Sequence, residues 1–279
     1  MATSLGKTGI GTGRRANVLL VTMAGATYGL ILLGIYTAAV GAGLTCDGRW
    51  PLCDGAVFGL FPANWPSFVE WFHRLIAMIT GFLILGGWAI IWRGGTSRRA
   101  RIAMTVAVAL LPIQIWLGAE TVWGYEIVTL TAHFLTALVI YTGILLAVTW
   151  HFSLQHEISQ FGDRIVAGAL LMLVPFFVLT PQFLVVHSGR IQVIYYGLGL
   201  AVFTGVLLVA IAPLTLLERL LAGLGALLIT VQLLVGRLMR TPDMAIIDWT
   251  AGGILVLVLV GLLMLTRKGT SKAATPQFL

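Results

Sequence analysis

Residues 70–92 read EWFHRLIAMITGFLILGGWAIIW. From Leu75 to Trp92 the run carries no charge, and at about 1.5 Å per residue the whole stretch is long enough to cross a hydrocarbon core of about 30 Å. Such a segment must be helical, because lipid leaves every backbone N–H and C=O to be satisfied inside the segment itself. Its first turns nevertheless hold a carboxylate and an imidazole, Glu70 and His73. Three residues apart on a helix, they share one face. Ionisable groups at membrane depth are disfavoured and mark functional positions.

The same apolar grammar recurs along the chain. Of 279 residues 59% are hydrophobic and 10% charged, where a soluble domain carries about a quarter charged residues. Eight apolar stretches stand out, at roughly 17–40, 70–92, 102–123, 128–150, 165–186, 191–213, 216–238 and 246–266. The expected fold is an all-α integral membrane protein with eight transmembrane helices. The only sizeable polar linker, 151–163, divides them four and four. The halves are weakly self-similar: HRLIAMITG from His73 and GLGLAVFTG from Gly197 share Ala, Thr and Gly at matched offsets. Two pseudo-symmetric four-helix bundles are expected, an N-terminal half at 1–150 and a C-terminal half at 164–267, followed by a tail at 268–279. Residues 1–15 and that tail read as disordered. The first span is too long for the apolar core of a signal peptide, so cleavage after it is not expected.

Positive charge sets the orientation. With the N-terminus in the cytoplasm, twelve Lys and Arg fall in inner segments and five in outer ones, as the positive-inside rule requires. The net charge of +7 is a topology signal and an attraction to anionic lipid. No basic patch interleaved with aromatics lies outside the spans, so a nucleic-acid partner is not expected. The expected location is the plasma membrane, multi-pass, with both termini cytoplasmic. The longest loop, 41–69, then lies outside and holds both cysteines, Cys46 and Cys53. On an oxidising side they read as a disulfide; two unpaired small residues or a thiol relay are the other readings. Trp50, Trp65, Trp71, Trp116 and Trp123 fall near the outer boundary, with Trp92 and Trp150 near the inner one, as an aromatic belt would.

A second histidine matches the first. His133 stands near the outer end of the fourth stretch, as His73 does in the second, and each is followed four residues later by alanine, Ala77 and Ala137. Each alanine lies one turn below its imidazole on the same face, leaving room for something flat between the helices. Gly81 and Gly143 would extend that clearance, less well in phase. Two imidazoles at one depth with space between them suit a haem held through both axial positions. With no Cys or third His beside them, a zinc site fits less well. Arg74 is placed to neutralise Glu70 or to hold a haem propionate, whereas Glu120 and Glu126 read as solvated.

Taken together, C-x6-C enclosing Trp-Pro-Leu, then Glu-x-x-His-Arg, then Thr-Ala-His with Ala four residues on, resembles the haem A synthase family. The motifs lie within residues 41–143, while the span pattern extends the resemblance over most of the chain. The resemblance implies oxidation of the C8 methyl of haem O to the formyl of haem A, for terminal oxidases. It implies His73 and His133 as axial ligands of the haem iron, Glu70 as the essential carboxylate beside the reacting methyl, and Cys46–Cys53 as a disulfide. Proton transfer and charge stabilisation are both open as roles for Glu70. Haem O, a haem O synthase, terminal oxidase subunits and membrane lipid are the implied partners.

One departure is plain. The family's second half carries its own histidine pair for a haem b, whereas here no histidine follows His187. Tyr195-Tyr196-Gly197 and Asp248-Trp249-Thr250 stand near the expected positions, so no second bis-His haem is expected; His187 as a single ligand and a loop histidine are both open. A haem-binding or oxidase-assembly protein without catalysis is the alternative to the enzyme.

Overall fold

A computed structural model describes residues 10–46, 48–50, 53, 61–62, 64–124, 126–180, 188–238 and 242–273. The described chain is all-helical. The helices are α1 (Ile10–Ala39), α2 (Trp65–Arg93), α3 (Arg98–Ala109), α4 (Leu111–Trp123), α5 (Ile127–His151), α6 (Gln155–Gln160), α7 (Gly162–Val178), α8 (Gly189–Ala210), α9 (Leu216–Leu238) and α10 (Pro242–Ala273).

Seven segments among them are long and apolar enough to cross a membrane, with α3 and α4 counting as one. The expected eighth, 165–186, begins as α7, whose helix has 17 residues and contains Pro175. Its remainder runs into residues 181–187, outside the described residues, and so does His187. Two expected tails are corrected. Helix α1 already starts at Ile10, inside the stretch read as disordered, and α10 continues to Ala273 beyond the apolar run. A helix propagates past its buried stretch where no Pro stops it, since each further residue adds a hydrogen bond without a new nucleus. The 151–163 linker contains a short helix of its own, α6.

Helix α2 begins where its sequence says it should. Asn64 accepts a hydrogen bond from the Ser67 N–H at 2.9 Å, and Pro66 sits in the first turn, where its missing N–H leaves no hole. The third expected span breaks at Leu110. Pro112 cannot donate to the preceding turn, and its ring crowds the carbonyl four residues back.

In the N-terminal half, α1 packs on α2, α2 on α3, α3 and α4 on α5, and α5 back on α1. Helices α2 and α5 therefore stand on a diagonal with marginal direct contact. In the C-terminal half, α7, α8, α9 and α10 close a similar ring. Helices α1 and α8 make the main seam, fastened by Tyr28 Oη donating to the Gly197 carbonyl at 2.8 Å and by a 3.1 Å bond between Tyr141 Oη and Thr204 Oγ1.

Two apolar cores follow. The larger fills the C-terminal half and the seam; the smaller joins Leu20, Met23, Ile84, Ile91, Met104, Ile140 and Ile144 at the end of the N-terminal half away from the cysteines. Among the described residues, neither core includes anything from α2 before Leu83 or from α4 after Leu111. At the cysteine end of the N-terminal half, Val69 of α2 and Leu117 and Val122 of α4 are buried outside these two cores.

Candidate functional site

At that end the described residues that follow α1 pack on α2 and α4. Cys46 and Cys53 form a disulfide and are both buried. Gly41 and Gly48 take φ of 68° and 67°, a left-handed conformation that glycine adopts without steric penalty. The loop is pinned to α2 by Ser67 Oγ donating to the Thr45 carbonyl at 2.9 Å, and to α4 by Trp123 Nε1 donating to the Gly48 carbonyl at 2.9 Å. Arg74 ties the loop to the acid beneath it. Its Nε donates to Glu70 Oε1 at 2.8 Å and its Nη1 to the Arg49 carbonyl at 2.9 Å. Glu70 is 6% exposed, so this charge-assisted bond is what permits a carboxylate there.

His73 and His133 occupy matched positions. His73 lies eight residues into α2 and His133 six residues into α5; at about 1.5 Å per residue both sit about 10 Å below the starts of their helices. Each imidazole is laid against a glycine of a neighbouring helix. A Cβ at Gly34 on α1 would lie 3.1 Å from His73 Cε1, and one at Gly118 on α4 would lie 3.2 Å from His133 Cε1. Both distances are tighter than ordinary contact, so the glycines are what allow the rings to lie there. His73 Nδ1 is buried without a hydrogen-bond partner among the described residues. Gln114 on α4 brings its Nε2 to 3.3 Å from His133 Nε2.

Sequence reading singled out His73, His133, Glu70, Arg74 and the cysteines. Of these, Glu70 and Arg74 are directly bonded and the cysteines are joined. Ala77 and Ala137 are both half-buried, and Ala137 packs against the larger core at the seam. Gly143 does not extend any clearance. A Cβ there would lie 2.8 Å from the Ala103 carbonyl oxygen, so it serves close packing of α5 on α3; Gly81 faces open space. Both are about a quarter turn out of phase with their histidines. Gly34, Gly118 and Gln114 were missed. The only signal was the one-turn spacing of Gln114 and Gly118, which puts amide and glycine on one face.

These residues fit an iron porphyrin better than a bare metal. Among the described residues no three His, Cys, Asp or Glu side chains converge as a metal cage. His73 on α2 and His133 on α5 each lie against a glycine of a neighbouring helix, and imidazole is a ligand type that haem iron takes. Among the described residues, the core of the C-terminal half is closely packed. Tyr195 is fully buried, stacks on Phe176 at 4.4 Å and donates its hydroxyl to the Gln232 carbonyl at 3.3 Å. A Cβ at Gly236 would lie only 2.7 Å from that hydroxyl.

The chain is similar to a Protoheme IX farnesyltransferase of Halobacterium salinarum, 36% identical over 138 residues that make up 49% of this chain and 29% of that protein. A protein of the same name from Haloarcula marismortui is 34% identical over 133 residues, 48% of this chain and 28% of its own length. A Heme A synthase of Bacillus licheniformis is 25% identical over 162 residues, 57% of this chain and 52% of that protein. The match thus spans about half the length of that synthase and under a third of the farnesyltransferases. No solved structure matches. A family model described as cytochrome oxidase assembly protein, COX15-CtaA, matches residues 17–189, more than half of the chain and all of the helices that carry the histidines. With its long apolar helices, the chain is a multi-pass membrane protein that belongs to this cytochrome oxidase assembly family, with heme A synthases among its relatives.

Proposed function

We propose that this protein is a haem A synthase-like oxidoreductase that takes the C8 methyl of haem O to the formyl of haem A for terminal oxidase assembly. The observation that carries the reading is the pair of matched imidazole seats, His73 on Gly34 and His133 on Gly118. The two imidazoles would ligate the iron of the substrate haem, which brings the redox-active centre. Glu70, held by Arg74 on the loop side of His73, would present a fixed carboxylate at the ring's edge, and Arg74 keeps donors within reach of a propionate. Ala77 and Ala137 stay small below the imidazoles. The two halves are proposed to be pseudo-symmetric four-helix units with α7 as the eighth span, both termini cytoplasmic and the disulfide loop outside the plasma membrane.

A prenyl-transferring enzyme must supply haem O, since the farnesyl-derived tail is added before the methyl is oxidised. The likeness of about half of this chain to part of proteins named Protoheme IX farnesyltransferase supports such an enzyme as a working partner; oxidase subunits are the proposed recipients.

The aromatic packing of the described core of the C-terminal half, and the lack of any histidine after His187, favour a second reading, a haem-binding assembly protein without catalysis. Supplying haem O, oxygen and a reductant to membranes containing the protein separates the two. The enzyme yields haem A or its hydroxylated precursor on chromatography; haem bound and unconverted under several reductants contradicts it. Glu70→Gln is expected to keep haem and lose conversion by at least about a hundredfold, the usual range for removing a proton-transfer or charge-stabilising group. Full conversion by that variant would remove Glu70 from the chemistry.

A further inference from the structure

We propose that Gln114 is an exchange latch on His133, competing with the haem iron for Nε2; the inference rests on the haem-site reading above. The two imidazole seats are nearly equal in their glycine contacts, 3.1 Å at Gly34 and 3.2 Å at Gly118. They differ one turn earlier on the supporting helix. Position 114 stands four residues before Gly118 and holds glutamine; position 30 stands four residues before Gly34 and holds leucine. Both side chains share a face with their glycine.

An amide N–H is a donor only, so Gln114 Nε2 at 3.3 Å engages the lone pair of His133 Nε2. That lone pair is the one a metal takes when imidazole binds through Nε2. Amide and iron therefore exclude each other. Gln114 Oε1 is buried with no hydrogen-bond partner among the described residues, so no second bond fixes the amide in this position and a change of side-chain rotamer releases it. Leu30 offers His73 no such competitor.

The asymmetry suits a haem that is substrate rather than resident cofactor. A porphyrin clamped by two unopposed imidazoles leaves slowly, whereas a product must leave in every cycle. His73 serves as the standing ligand and His133 as the exchangeable one, with Gln114 taking over Nε2 whenever the iron lets go. Gln114 is thus a positioning residue, acting through His133.

The test uses full-length protein in detergent, freed of haem and titrated with ferric protohaem, with electron paramagnetic resonance on the loaded samples. Gln114→Leu is expected to bind about fivefold tighter, the factor that one hydrogen bond between neutral groups represents. It is also expected to lose a five-coordinate, high-spin fraction that the wild type shows. Leu30→Gln installs a competitor at His73, and about fivefold weaker binding with more high-spin haem is expected. Unchanged or weaker affinity in Gln114→Leu with an unchanged high-spin fraction overturns the latch. Should that variant lack a cooperative unfolding transition, Leu30→Gln decides alone, and unchanged affinity there overturns it. If the wild type itself gives no bis-imidazole low-spin signal, the haem-site reading falls and the latch with it. A low-spin signal with affinities that do not move removes the latch only.

Discussion

At the scale of single residues, the site is defined by what each imidazole lies against. His73 and His133 stand out as candidates in the sequence because each is a ring nitrogen inside an apolar run, and because the alanine one turn on repeats. Gly34 and Gly118 were not legible, since nothing in a helix's own sequence names the residue that faces it across a bundle. Glycines are also plentiful here, 33 in the chain, and several of them face nothing. Two of them, Gly34 and Gly118, lie against an imidazole, in contrast to those that face nothing. Gly118→Leu is expected to push the His133 ring out of its seat and to abolish most low-spin haem absorbance. Gly29→Leu, on α1 where a Cβ meets nothing within 4 Å, is expected to leave the spectrum unchanged. Equal spectra from the two variants would mean that the glycine seats do not position the ligands.

At the scale of elements, the break between α3 and α4 and the disulfide loop set the geometry above the histidines. Pro112 is plain in the sequence, yet the stretch 102–123 reads as one span because membrane helices tolerate proline when neighbours repair the lost bond. The structure shows α4 carrying both Gly118 and Gln114 after the break. Pro112→Ala is therefore expected to restore a continuous helix, turn α4 away from His133 and lower haem affinity, while raising helix stability in thermal unfolding. Haem binding unchanged by that substitution would show that the break does not aim α4. The loop was legible as a loop, and its cysteines as a pair, from their confinement to one short segment. Its fastening by Arg74, Ser67 and Trp123 was not, because these bonds join residues as far apart as Gly48 and Trp123. Replacing Cys46 and Cys53 together by Ser is expected to lower stability by about 2 kcal/mol, the loop-entropy contribution of so short a bridge. Unfolding in detergent, monitored by tryptophan fluorescence, measures it. Because the loop is also held by side-chain bonds, haem should remain bound.

At the scale of the whole molecule, an all-helical membrane protein could be read from composition and span length alone. The eighth span is harder to read. Helix α7 contains Pro175 and spans 17 residues, short of the length that the apolar stretch 165–186 suggests. The seam was invisible in the sequence, since Tyr28 and Tyr141 look like ordinary span residues until α8 is placed beside them. Across it, Phe134, the neighbour of His133, meets Tyr196 edge-on at 5.7 Å, so the C-terminal half buttresses the helix that carries the second imidazole. With Tyr195 stacked on Phe176 and set against Gly236, and with no histidine after His187, this half is expected to bind no second bis-imidazole haem.

The central claim is one haem held between α2 and α5 by His73 and His133. Its most direct test is the haem content and low-temperature electron paramagnetic resonance spectrum of the purified protein beside His73→Ala and His133→Ala. The account predicts one haem per wild-type chain with a bis-imidazole low-spin signal, and loss of that signal in each variant. A low-spin signal that persists in both would contradict it.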